Sequence, residues 1–316
     1  MYQLGSIKEV LYSVGNLEKV KSFFCDYGGW NEVGTYQTTK NQLGFWQVSN
    51  QANAEEVLIQ SDHHPTGQLR LVKFNNIDQD YIRSSQQPWD TGGIMDINLR
   101  VHEVANTFDE LRELGWHGLS DPLFQKMGTV ELYDILMKGY DDTIIAYTHR
   151  VQPPMELKSP IKFPTHVYNS SITVKDIAKA KQFYIDTLGC KVLMDYEVKK
   201  EKPQESMFGF PHNLTNKVNC KAVMLSYDGE RDTMFQICEF EGATGKDFSA
   251  KAKPPNKGFM SYRVSVDGIS GYYNHLQEKE VSIHQPLQQL DIQPYGKVNT
   301  FSVICPDGVL ITFIEE

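Results

Sequence analysis

The chain has 316 residues, 40% of them hydrophobic and 22% charged, a globular balance that excludes coiled-coil, collagen-like and disordered readings and suits two domains of about 150 residues. A formal net charge of −9, with no run of Lys and Arg, argues against a phosphate-tracking partner, so no nucleic acid is expected. Residues 1–5 offer neither a basic nor an apolar leader, no window approaches the ~18 apolar residues of a membrane span, and five scattered cysteines without a CxxC pair read as reduced core thiols; a cytoplasmic setting with no membrane contact is expected.

In chain order, one pattern recurs four times: a β run, a short turn, an amphipathic helix, then further β runs. The first copy has a strand at 10–14, Asn16 as helix cap, and Leu17, Val20, Phe23 and Phe24 on one helical face before Gly28-Gly29. The second has a strand at 94–101 and a helix through Val104, Phe108, Leu111 and Leu114 to Gly115. The third has a strand at 167–174, Asp176 as cap, and a helix with Ile177, Ala180, Tyr184 and Leu188 that Gly189 stops. The fourth has a strand at 259–266 and a helix through Ile269, Tyr272, Tyr273 and Leu276. A proline-rich stretch, 151–162, separates the halves as a linker. The expected domains are 1–150 (modules about 5–76 and 92–149) and 163–316 (modules about 163–242 and 257–316).

The run from Asn169 through Asp176 to Phe183-Tyr184 and Leu188-Gly189 resembles the opening of a vicinal oxygen chelate module, the unit of the glyoxalase, bleomycin-resistance and extradiol-dioxygenase superfamily. The ending Cys305-Pro306-Asp307-Gly308 before a strand is similar to that family's closing Asp-Pro-Asp-Gly turn. The resemblance implies an α+β fold of four βαβββ modules, paired into two domains whose mixed sheets each curl into a cup. It also implies, in active members, a divalent metal held by the first and last strands of two paired modules.

Counting from helix caps and closing turns places those four positions. In the second half they are Asn169 (seven before Asp176), Gln236, Ser261 (six before Asp267) and Thr312 (four after Gly308). All are neutral donors, so no metal is expected there. The four are expected to converge, either on an organic ligand or on one another. In the first half the positions are Glu9, Arg70, Asp96 and Ala146. Arg70 between Glu9 and Asp96 reads as an internal ion-pair cluster, with an acid–base or ligand-anchoring role and a weak metal site as the other readings.

Of nine histidines, His63 and His64 lie in a polar turn and are expected to face solvent, and His166 is expected on the opposite face from Asn169. His212 lies with Phe208 and Phe210 in a loop placed as a lid, either touching a ligand or simply exposed. With 16 Phe, 16 Tyr and 4 Trp available for walls, the first expectation is a cofactor-free protein that binds a small polar or aromatic molecule in its cavity. A metal-dependent lyase, epimerase or dioxygenase, or a metal-free relative using Glu9, Asp96 or His212 as base, is the second. A structural or interaction protein with filled cavities is the third. Four modules suffice for two cups, so a monomer or homodimer is expected.

Overall fold

A computed structural model describes residues 1–62 and 64–316, which leaves the expectation for His63 outside the described residues. The first module comprises β1 (Gln3–Ser13), α1 (Leu17–Ser22), β2 (Asn31–Gln37), α2 (Lys40–Phe45), β3 (Asn53–Gln60) and β4 (Gln68–Asn75). The second comprises β5 (Ile94–Arg100), α3 (Val104–Glu113), β6 (His117–Gly118), β7 (Leu123–Met127), β8 (Val130–Lys138) and β9 (Ile144–Gln152). The third runs through β10 (Asn169–Thr173), α4 (Ile177–Lys181), β11 (Lys191–Lys199), β12 (Asn219–Ser226) and β13 (Phe235–Glu241). The fourth holds β14 (Gly258–Asp267), α5 (Ile269–Glu278), β15 (Ile283–Ile292), β16 (Gly296–Ile304) and β17 (Leu310–Glu315).

The helices begin where local chemistry dictates. Asn16 and Asp176 accept the backbone N–H of Lys19 and Lys179, satisfying one of the unpaired donors of each first turn. In the third copy the single expected helix splits, because α4 passes at Gln182 into a π-helical turn, and α1 does the same at Phe23. Before α5 no side chain of the turn serves as cap. Glu315, from the last strand, accepts the N–H groups of Gly268 and Ile269 instead.

The modules pair crosswise. One sheet runs β15-β16-β17-β14-β1-β4-β3-β2 and joins the fourth module to the first; the other runs β11-β12-β13-β10-β5-β9-β8-β6 and joins the third to the second. The seams are antiparallel, Glu9 opposite Arg263 in one and Asn169 opposite Asn98 in the other. Neither half of the sequence therefore builds a sheet alone. The connections at 76–93 and 242–257 carry the chain from one sheet to the other, and they hydrogen-bond to each other through Thr91, Lys246 and Phe248.

Strand alternation then divides each sheet into two faces. The inner faces share one large core with the helices: Tyr12, Leu71 and Tyr262 meet Ile97, Ile172 and Ile237, packed over Phe24, Leu111, Tyr184 and Tyr272. The Ser170 and Tyr262 hydroxyls hydrogen-bond across it at 2.6 Å. The outer face of the first–fourth sheet is plugged by α2 and its flank, where Leu43, Phe45 and Trp46 pack on Leu290, Ile292 and Val298. The equivalent connection of the third module, residues 200–218, forms only one short 3-10 turn. Trp46 is 3% exposed, so Trp46→Ala should leave a void under α2 and cost about 3–5 kcal/mol of stability, measured as a lower urea midpoint at unchanged slope.

Candidate functional site

The eight positions counted in the sequence do fall on the outer faces, but they group by sheet and not by half. Asn169, Gln236, Ser261 and Thr312 do not converge: Ser261 and Thr312 lie on β14 and β17 of one sheet, Asn169 and Gln236 on β10 and β13 of the other. Glu9 and Arg70 join the first pair, and Asp96 with Ala146 joins the second. Within each module the two positions share a sheet; the crosswise pairing sends the modules of one half to different cups.

The first cup is filled. Arg70 donates from Nε and Nη2 to both oxygens of Glu9 at 2.7 Å and from Nη1 to Glu56 at 2.9 Å. Arg263 and the Tyr295 hydroxyl also donate to Glu9. Glu56 accepts from Thr38 and from Gln42 of α2, so the plug is tied into the network. Two carboxylates face two guanidiniums, all four nearly inaccessible to solvent. The expected ion pair of Glu9 and Arg70 is thus present, but its further carboxylate is Glu56 and not Asp96. Burial alone would raise the Glu9 carboxyl; Arg263 and Arg70 overcome it and hold the group at about 2.

The second cup is open, with a cavity of about 790 Å³. Asp96, Ala146, Asn169 and Gln236 all line it, together with Phe208, Phe210 and His212. The segment 200–218 crosses the cup as a strap. Phe210 stacks on Trp89 with ring centroids 4.3 Å apart, Phe208 meets Phe240 edge-on at 4.9 Å, and Met207 accepts from Gln125 of the neighbouring module at 2.7 Å. Gly209 allows this approach: its φ is +71°, and a Cβ there would stand 3.0 Å from the Leu119 carbonyl oxygen. His212 lies at the rim, exposed to solvent.

Polar groups occupy the floor. Asn98 donates to Asp96 at 2.8 Å, and Asn169 reaches Asn98 at 3.5 Å. Gln236 accepts from the Tyr196 hydroxyl at 2.7 Å and donates to the Cys238 sulfur at 2.8 Å. The Asn169 Oδ1 is buried without a partner, as are Asp134 Oδ1 and Arg150 Nε, all on residues lining this cavity. Burial pushes the Asp96 carboxyl up to about 6 against hydrogen bonds from Ser171 and Asn98. Burial likewise pushes Asp134 up to about 6; Thr148 opposes the rise by donating to it and the nearby Asp96 adds to it. Among the described residues no three His, Cys, Asp or Glu side chains come together as a metal-binding group.

Asp134 and Arg150 were missed by reasoning from the metal positions, because they sit on β8 and the end of β9, away from the counted places. A signal existed. Asp134 is the lone charge in the strand run from Leu132 to Met137, where a buried strand predicts only apolar residues. Among the histidines, His166 precedes β10 (Asn169–Thr173), so the strand alternation expected to turn it from Asn169 does not reach it. His64 differs from expectation: it is partly buried, its ring stacked on His166 with centroids 3.6 Å apart.

The carboxyls of the two cups are shifted in opposite directions. Glu9 is held at about 2 against ~4.3 in an unfolded chain. Its contribution is therefore full above the unfolded value and lost as pH falls through the folded one, and Glu9→Gln, which strands Arg70 and Arg263, should cost about 3–5 kcal/mol at pH 7 by chemical denaturation. Asp134, raised to about 6, behaves in the opposite way, favouring the fold below ~3.9 and losing that advantage as pH rises through 6. Asp134→Asn should therefore raise stability at pH 7 by on the order of 1 kcal/mol and flatten the melting-temperature profile between pH 4 and 6.

Comparison with solved structures gives the fold a context. A glyoxalase I mutant from Zea mays superposes with a TM-score of 0.66 at 13% identity, covering 99% of this chain and 94% of that one. The unmutated maize glyoxalase I gives 0.63 at 13%, covering 100% and 92%. A candidate dioxygenase from Bacillus subtilis gives 0.58 at 9%, covering 99% and 86%. At these identities the likeness is one of fold. A search of curated proteins finds no match. No helix is long and apolar enough to cross a membrane among the described residues. Residues 165–313 match the family model described as the Glyoxalase/Bleomycin resistance protein/Dioxygenase superfamily, and the likeness of fold to glyoxalase I runs over the chain's full length.

Proposed function

We propose that this protein binds a small organic molecule in the cup shared by its second and third modules, and that both of its metal positions are degenerate. The observation that carries the reading is the contrast between the cups: one is closed by α2 and a neutralised ion network, while the other keeps a cavity of about 790 Å³, within the range of sites for drug-sized ligands. Its walls are Phe208, Phe210, Phe240, Leu136 and Met224, and its floor offers Asn98, Asn169, Ser171 and Gln236. A ligand with an apolar or aromatic body and neutral polar substituents fits both surfaces.

The donor chemistry argues against a resident divalent metal. At the four strand positions the open cup offers Asp96, Ala146, Asn169 and Gln236. Alanine has no donor, and the Gln236 amide is already engaged by Tyr196 and Cys238. In the filled cup the only carboxylate at a counted position, Glu9, is neutralised by Arg70 and Arg263. These residues do not fit Zn²⁺, Fe²⁺ or Ni²⁺.

A second reading rests on Asp96. A cavity carboxyl pushed up to about 6 is poised to exchange a proton near neutrality, so the same pocket suits metal-free acid–base chemistry on its ligand. The third expectation, filled cavities, describes one cup and not the other.

The test is a thermal-shift screen of neutral aromatic and amide-bearing compounds, followed by calorimetry on the hits. Binding should weaken about tenfold in Asn169→Ala, which removes a buried acceptor, and by more in Ala146→Phe, which sets a ring in the cavity beside Asn98 and Leu136. Hits that bind Ala146→Phe as tightly as the unsubstituted protein would contradict the site.

A further inference from the structure

The open cup holds a donor and an acceptor that do not meet. On the paired strands β8 and β9, Asp134 stands opposite Thr148 and Leu132 opposite Arg150. Asp134 and Arg150 are thus diagonal neighbours on the cavity face, roughly 7–8 Å apart at the backbone in an antiparallel ladder. Both line the cavity, and both bury an atom without a partner, Asp134 Oδ1 and Arg150 Nε. No ion pair joins them, and Arg150 makes no side-chain hydrogen bond among the described residues. Opposite charges side by side in a buried setting ordinarily close on each other. Here the carboxylate is held back: Gln125 donates to Asp134 Oδ2 at 3.3 Å. Thr148, its own oxygen occupied by the Tyr168 hydroxyl at 2.9 Å, donates to Asp134 as well.

We propose that Asp134 and Arg150 form a reading site for a neutral group presenting a hydrogen-bond donor and acceptor on one edge, of which the cis-amide of an aromatic lactam is the simplest case. The inference rests on the reading that this cavity binds an organic molecule, and names the chemistry it selects. The lactam N–H donates to Asp134 Oδ1 and its carbonyl accepts from the Arg150 guanidinium, so each orphan atom gains a partner. A carboxylate ligand would satisfy Arg150 but face Asp134 with like charge. An ammonium would satisfy Asp134 and be repelled by Arg150. Only an uncharged donor–acceptor edge serves both. The aromatic body then extends along the cup toward Phe208 and Phe240.

The probes are carbostyril (an aromatic lactam), its N-methyl derivative, which lacks the donor, and quinoline, which lacks both the lactam donor and carbonyl. Each is titrated by calorimetry into the full chain and into Asp134→Asn. In that variant Gln125 and Thr148 both need an acceptor, which turns the amide nitrogen toward the cavity and replaces an acceptor with a donor. Carbostyril should bind at least about tenfold more tightly than either analogue, and Asp134→Asn should erase its advantage over the N-methyl compound. Equal binding of the three probes, an advantage that survives Asp134→Asn, or no binding of carbostyril would overturn the proposal. Quinoline that binds and is excluded by Ala146→Phe, with no lactam preference, would overturn this inference while leaving the binding cavity in place. Failure of every aromatic probe here and in the wider screen would overturn both.

Discussion

A guanidinium that touches two carboxylates in a space closed to water has to stay where it is, because every departure strands a charge. Arg70 holds Glu9 and Glu56 in that way, and Arg263 balances the second negative charge. The four side chains come from β1, β3, β4 and β14, so the network ties the first module to the fourth across the chain's two halves. It also occupies the place where paired modules of this architecture bring their first and last strands together. Once that place is filled and α2 lies over it, one cup becomes core, and any ligand is left with the other.

The open cup differs through one connection. In the first module the segment between β2 and β3 carries Leu43, Phe45 and Trp46 and folds inward as α2. In the third module the equivalent segment is longer and carries Pro203, Gly209 and Pro211. It forms no α-helix and instead spans the cup, anchored at Trp89 and Leu119. Its aromatic residues roof the cavity where the first module's aromatic residues fill theirs. Two copies of one repeat thereby reach opposite outcomes: a dry ionic core and a polar-floored pocket.

The modules, their helix caps and their strand faces were legible in the sequence because each depends on local rules. Asn16 and Asp176 cap as their chemistry predicts, and counting back from them finds outward-facing residues in both sheets. The pairing of modules was not legible. Residues of β1 and β14, or of β5 and β10, meet through an antiparallel seam that no local pattern in the four first strands specifies, so Asn169 and Ser261, expected in one site, belong to two. The Glu9–Arg70 pair could be read from spacing within one module, but its other partners could not. Glu56 sits on a middle strand, and Arg263 stands two residues past the counted Ser261. Asp134 likewise sits on a middle strand, and Arg150 lies past the counted Ala146 at the far end of β9.

One filled cup and one open cup predict a single ligand site per chain. The direct measurement is the stoichiometry of an aromatic ligand by calorimetry, with the Trp89 signal taken as the fluorescence difference between the unsubstituted chain and Trp89→Phe, since of the chain's 4 Trp Trp89 stacks on the strap that roofs the open cavity. One site per chain, with a fluorescence change that saturates together with the heat, is the predicted result. Two sites per chain, or a single site that leaves Trp89 unchanged and is lost when the α2 plug is altered, would place the ligand in the wrong cup and contradict it.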